Sequence, residues 1–71
     1  MKIDEKIEIA VKYMQKVAIN QGRDWVSPTE IGGEINGGHS SVGSPVCHEM
    51  VERGLAIRNN KGHYCLIDID A

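Results

Sequence analysis

Apolar residues recur at three- and four-residue steps along the first third of the chain, at Ile7, Ala10, Met14 and Val17, with Val11 and Ala18 widening the stripe. That spacing gathers them on one face of a helix, while Lys6, Lys12, Gln15 and Lys16 fall mostly off it. Asp4 reads as the N-cap, Glu5 and Glu8 put negative charge near the positive helix end, and Gln21-Gly22 supplies a stop. Together these predict a first helix over about residues 4–21.

Arg23-Asp24-Trp25-Val26 reads as a connector or a two-residue strand. The next signal is sharper: Ser27-Pro28-Thr29-Glu30 combines a capping box with proline at the first helical position, where a missing N–H costs nothing. Ile31 and Ile35 give this second helix, over about 28–35, one apolar edge. Gly32 and Gly33 each weaken it by about 1 kcal/mol relative to alanine, which predicts that their smallness serves close approach to a neighbouring helix. Asn36-Gly37-Gly38-His39 is a turn cluster.

A third helical pattern places Val42, Val46, Cys47 and Met50 on one face, with Val51 added and Gly54 as C-terminal cap, over about 41–53. Its N-cap stays open among Ser40, Ser41 and Ser44, because Pro45 favours a first turn. The remainder alternates: Leu55 to Arg58 and His63 to Ile67 are β-type runs flanking Asn59-Asn60-Lys61-Gly62, which predicts a hairpin over about 55–67. Asp68 to Ala71 is a short acidic tail. The expected core includes Met50, Val46, Ile31, Val17 and Leu55, with Trp25 covering it and Tyr13 and Tyr64 at its edge.

At 71 residues the chain has room for one domain, 1–71, that buries roughly 60% of its unfolded surface and has no space for a deep pocket, so an enzyme is not expected. An apolar share of 41% with 25% charged residues is that of an ordinary folded domain, which excludes disordered and fibrous classes. Nothing resembles a membrane span or a secretory leader, so the expected location is cytoplasmic, with no membrane partner. Cys47 and Cys65 lie inside apolar runs and read as reduced core thiols. The net charge of -2 opposes nucleic-acid binding unless local charge compensates, since Lys and Arg neutralise phosphates.

The ordered set of helix, short strand, helix, turn, helix and hairpin resembles the winged helix-turn-helix domain. Ser27-Pro28-Thr29-Glu30-Ile31-Gly32 is similar to the opening of that family's first motif helix. Met50-Val51-Glu52-Arg53-Gly54-Leu55 looks like the end of a recognition helix entering the wing, and Arg58 to Tyr64 resembles the wing itself. The resemblance implies an α+β fold, with the third helix in a major groove and the hairpin on the backbone or minor groove of duplex DNA.

Ser40 or Ser41, Ser44 and His48 follow helical steps opposite Val46, Cys47 and Met50, and could form a stripe that donates to phosphates or base edges. The plainer alternative makes the serines caps and His48 a solvated side chain. Arg58, Lys61 and His63 concentrate positive charge in the hairpin, although a few cations also suit any solvated hairpin. Residues 39–63 carry Arg53, Arg58 and Lys61 against Glu49 and Glu52, a local balance of three minus two, or +1. His39, Cys47, His48, His63 and Cys65 match no zinc-finger or ribbon spacing, and Cys47-His48 lacks an orienting third group for nucleophilic chemistry, so no metal or cofactor is expected.

Two functions follow from the sequence: the DNA-binding domain of a small transcriptional regulator, or a winged-helix protein-interaction module that does not bind DNA, which Glu49, Glu52 and the net charge would suit. A homodimer or a protein partner is compatible with either, and the first helix and the tail are the segments read as available for self-association.

Overall fold

The computed structural model describes residues 2–36 and 40–67, the Asn36 side chain excepted. It contains α1 (Ile3–Gln21), α2 (Pro28–Asn36), α3 (Ser40–Glu52), β1 (Ala56–Arg58) and β2 (Tyr64–Leu66). Three helices followed by a two-stranded antiparallel sheet make an α+β winged-helix arrangement with a C-terminal hairpin. The turn cluster at 37–39, including His39, and the acidic tail at 68–71 lie outside the described residues. Among the described residues no helix is long and apolar enough to cross a membrane.

The first helix starts earlier than its expected cap. Lys2 is the N-cap and its N–H donates to Glu5 Oε1 at 3.3 Å. Asp4 lies within the first turn, where its carboxylate accepts from Arg53 Nη1, just beyond the end of α3, at 2.7 Å instead of capping the helix. At the other end Gly22 adopts φ 65°, the left-handed geometry that closes a helix.

The capping box of α2 forms as read: Glu30 N–H donates to Ser27 Oγ at 3.3 Å and Ser27 N–H donates to Glu30 Oε2 at 2.9 Å. The same carboxylate accepts from Arg23 Nη2 at 2.8 Å and from the Tyr13 hydroxyl at 3.0 Å, so one cap residue also ties down α1 and the connector. Burial pushes the Glu30 carboxyl up, but the bonds from Ser27, Arg23 and Tyr13 outweigh it and hold the group below its ordinary pKa. The Tyr13 phenol is raised, by burial first and then by its bond to Glu30.

Close approach between helices occurs at Gly43, on α3, against Pro28 and Gly32 of α2. A Cβ at Gly43 would collide with the Pro28 carbonyl oxygen and lie 2.8 Å from the Gly32 nitrogen. Gly32 is buried at this contact, whereas Gly33 is exposed and takes no part in it, contrary to the reading that gave both glycines that role. Pro45 also departs from expectation: α3 begins at Ser40, which puts the proline inside the helix instead of its first turn. Its missing N–H leaves the Ser41 carbonyl without the usual ladder bond, and both residues are exposed.

Ile7, Ala10, Met14 and Val17 of α1 face Ile31 of α2 and Val46, Cys47 and Met50 of α3 in one cluster, which Val26, Ala56, Tyr64 and Leu66 close from the sheet side. Leu55 and Val51, expected inside, are 40% and 38% exposed. Strand alternation explains Leu55: the small Ala56 takes the inward position and turns its neighbour out. Val51 follows the fully buried Met50 by one residue, about 100° around the helix, and points away. Trp25 is likewise 37% exposed because Val26 occupies the inner position beside it.

The hairpin pairs Ala56 with Leu66, Ile57 with Cys65 and Arg58 with Tyr64. Val26 adds a single antiparallel bridge on the far side of β2, with N–H to O bonds of 2.9 and 2.8 Å exchanged with Tyr64. The connector therefore acts as a one-residue third strand.

Candidate nucleic-acid interface

The residues singled out from sequence occupy α3 and the hairpin. Ser40, Ser41 and His48 are exposed on α3, and Ser44 is half-buried, opposite the buried Val46, Cys47 and Met50. The two ends of this stripe have different surroundings. Ser41 borders a shallow groove of about 270 Å³ whose walls include Ile3 and Lys6 of α1 and Pro45. His48 sits toward the sheet, its ring 6.3 Å from that of Tyr64 and tilted by 54°. The stripe thus runs between a lysine of α1 and the turn end of the hairpin strands, where Tyr64 pairs with Arg58.

The hairpin connection is built by Asn59. Its side-chain oxygen accepts the N–H groups of Lys61 and His63, both at 2.9 Å, and its own N–H donates to the His63 carbonyl at 3.0 Å. Gly62 completes the turn at φ 79°, a conformation that a side chain would strain. Arg58 and Lys61 are exposed and His63 is half-buried. The Arg58 guanidinium lies over the Gly62 side of the turn.

Ion pairing divides the cations. Arg53 is held by Asp4 at 2.7 Å and by Glu49 at 2.9 Å, Arg23 by Glu30 at 2.8 Å, and Lys12 by Glu8 at 3.2 Å. Arg58 and Lys61 of the hairpin, and Lys2, Lys6 and Lys16 of the first helix and its cap, make no ion pair among the described residues. Arg53, counted in the sequence as part of the local positive balance, is thereby neutralised together with Glu49. Arg58 and Lys61 then stand against Glu52 in the same stretch, so the balance is unchanged but now rests on the hairpin.

Lys6 is the residue that sequence reasoning passed over. Its place in the helical pattern marked it only as solvated, and nothing local connects it to Ser41; the packing of α1 against α3 brings them to one groove.

The cysteines are unpaired. Burial pushes the Cys47 thiol up to about 11, which leaves it un-ionised and unreactive near neutral pH. Cys65 is also raised, by burial and then by the nearby Asp24 carboxylate. Among the described residues no three His, Cys, Asp or Glu side chains converge on a point that could hold a metal ion. What this surface offers is hydroxyl, imidazole and cationic donors.

No family model matches the chain, and neither a curated protein nor a solved structure matches it.

Proposed function

We propose that the chain is a duplex-DNA-binding module of a small transcriptional regulator, with α3 in the major groove and the hairpin turn against the backbone or minor groove. The observation that carries this reading is the division of charge. Arg23 and Arg53 are consumed by internal ion pairs, while Arg58 and Lys61 make no ion pair among the described residues and stand at a turn braced by Asn59, which follows the donors of α3 in chain order. Hairpin cations suit phosphates, which supply affinity without sequence information, and Ser40, Ser41, Ser44 and His48 suit base edges or flanking phosphates. His63 is half-buried beside the turn. This reading puts the chain in the cytoplasm and requires neither cofactor nor catalytic group.

Titration with mixed duplex fragments at low and moderate salt tests it. The expected result is binding at low salt that weakens linearly in a log–log plot, with a slope set by the few phosphates this surface can neutralise. A chain indifferent to DNA at low salt would support the other reading, a protein-interaction module, which the net charge of -2 and the exposed Glu52 favour.

A further inference from the structure

Tyr64 fills a core position with a ring whose hydroxyl the core does not use. The residue is 2% exposed, it shares the inward face of the hairpin with Ala56 and Leu66, and Val26 pairs with it along the far edge of β2. The other tyrosine is the contrast: the Tyr13 hydroxyl donates to Glu30 Oε1 at 3.0 Å, whereas the Tyr64 hydroxyl makes no hydrogen bond among the described residues. Among those same residues no fully covered side-chain nitrogen or oxygen lacks a partner. The phenol oxygen is therefore the part of Tyr64 that meets solvent, and an atom the size of a water oxygen can touch it.

The neighbours of the ring place this opening at the junction of α3 and the hairpin. The imidazole of His48, exposed on α3, lies 6.3 Å from the Tyr64 ring. Arg58 is the cross-strand partner of Tyr64, and directly opposed side chains of an antiparallel pair share a face, so Arg58 leaves the hairpin on the side of Tyr64 while Ile57 and Cys65 point the other way. Two acids of α3 lie near His48 in sequence. Glu49 is held by Arg53 at 2.9 Å, and Glu52 lies one turn further on, toward the end of α3 where the chain enters β1, whereas Arg58 stands at the turn end of that strand.

We propose that the Tyr64 hydroxyl donates to a backbone phosphate of bound duplex DNA where α3 meets the hairpin, with Arg58 supplying positive charge on the same face. This contact rests on the DNA-binding reading and adds to it a residue that the sequence placed at the core edge. A phenol whose ring is locked in the core gives up no side-chain freedom when it binds, unlike a long exposed side chain. A phosphate oxygen suits it better than a base edge, because base edges are read by side chains that project into a groove and this hydroxyl lies at the surface.

Tyr64→Phe tests the contact, since phenylalanine keeps the ring and removes the hydroxyl alone. Its melting temperature should match the parent's, because no internal bond is lost. In titrations of a labelled duplex read by fluorescence anisotropy, affinity should fall about tenfold, and equally for preferred and scrambled sequences, the effect of one lost hydrogen bond to a charged group. The slope of log affinity against log salt should stay as it is, because a neutral donor displaces no counterion, whereas Arg58→Ala should reduce it by about 1. In the parent, the ring-carbon resonance beside the Tyr64 hydroxyl should move when duplex is added, and that of Tyr13, already bonded to Glu30, should move less. A parent that binds DNA with its Tyr64 resonance unmoved and its phenylalanine variant equally tight overturns the contact and leaves the DNA reading standing. A loss confined to preferred sequences, or a variant that melts well below the parent, overturns it as well, and a parent indifferent to DNA overturns both.

Discussion

Replacing Gly43 by alanine adds one methyl group at the point where α2 and α3 touch through their backbones. The new carbon would meet the Pro28 carbonyl oxygen and stand 2.8 Å from both the Pro28 carbonyl carbon and the Gly32 nitrogen. Overpacking of a core by a methylene costs about 1–3 kcal/mol when neighbouring side chains can shift. Here the obstacles are main-chain atoms just inside a capped helix, so relief requires the two helices to separate and the upper value, about 3 kcal/mol, applies. Alanine is the better helix former by about 0.8–1.0 kcal/mol, which leaves a net loss of about 2 kcal/mol. For a domain of this size that lowers Tm by roughly 8–16 °C, which thermal melts followed by far-ultraviolet circular dichroism read directly. Gly33→Ala, at an exposed position of α2, should raise Tm by a few degrees through helix propensity. A Gly43→Ala protein melting at or above the parent would mean that propensity alone operates at residue 43, and that the two helices do not meet there.

Other perturbations address the core, the cap and the proposed interface. Met50→Ala removes a side chain that is 1% exposed at the centre of the cluster and should cost about 2–5 kcal/mol in denaturant unfolding; an unchanged midpoint would mean that α3 is turned the wrong way. Because the folded pKa of Glu30 is held below its ordinary 4.5, its contribution to stability is present above that value and is lost as pH falls through the lowered one. Glu30→Gln should therefore melt below the parent at neutral pH and flatten the acid limb of Tm against pH, whereas a parallel limb would assign acid sensitivity to other groups. Arg58→Ala with Lys61→Ala should reduce the slope of log affinity against log salt by about 2, with little change in Tm, and an intact slope would remove the hairpin from any DNA contact. Ser44→Ala and His48→Ala should narrow the gap between preferred and scrambled sites by about 1–3 kcal/mol per lost base contact, measured as relative affinities.

What the sequence determined by itself is whatever depends on neighbours along the chain. The helical stripe of Ile7, Ala10, Met14 and Val17, the Ser27–Glu30 capping box, the stops at Gly22 and Gly54 and the Asn59–Gly62 turn are local devices, and each is found where its pattern lies. The tertiary structure decided what depends on residues far apart. Asp4 gave up its capping role because packing brought Arg53 within 2.7 Å, a charge no local pattern could announce. The glycine that allows two helices to touch is Gly43, distinguishable from Gly33 only once the α2–α3 contact exists. Leu55 and Ala56 are adjacent apolar residues at the entrance to a strand, and which one faces inward is set by pairing with Leu66, so the larger residue went out and the smaller one in. The same registration made an apolar outer face from residues that each read, taken singly, as ordinary strand formers, and the packing of α1 on α3 brought Lys6 beside Ser41. Periodicity names the face of an element; only the docking of elements names its partner.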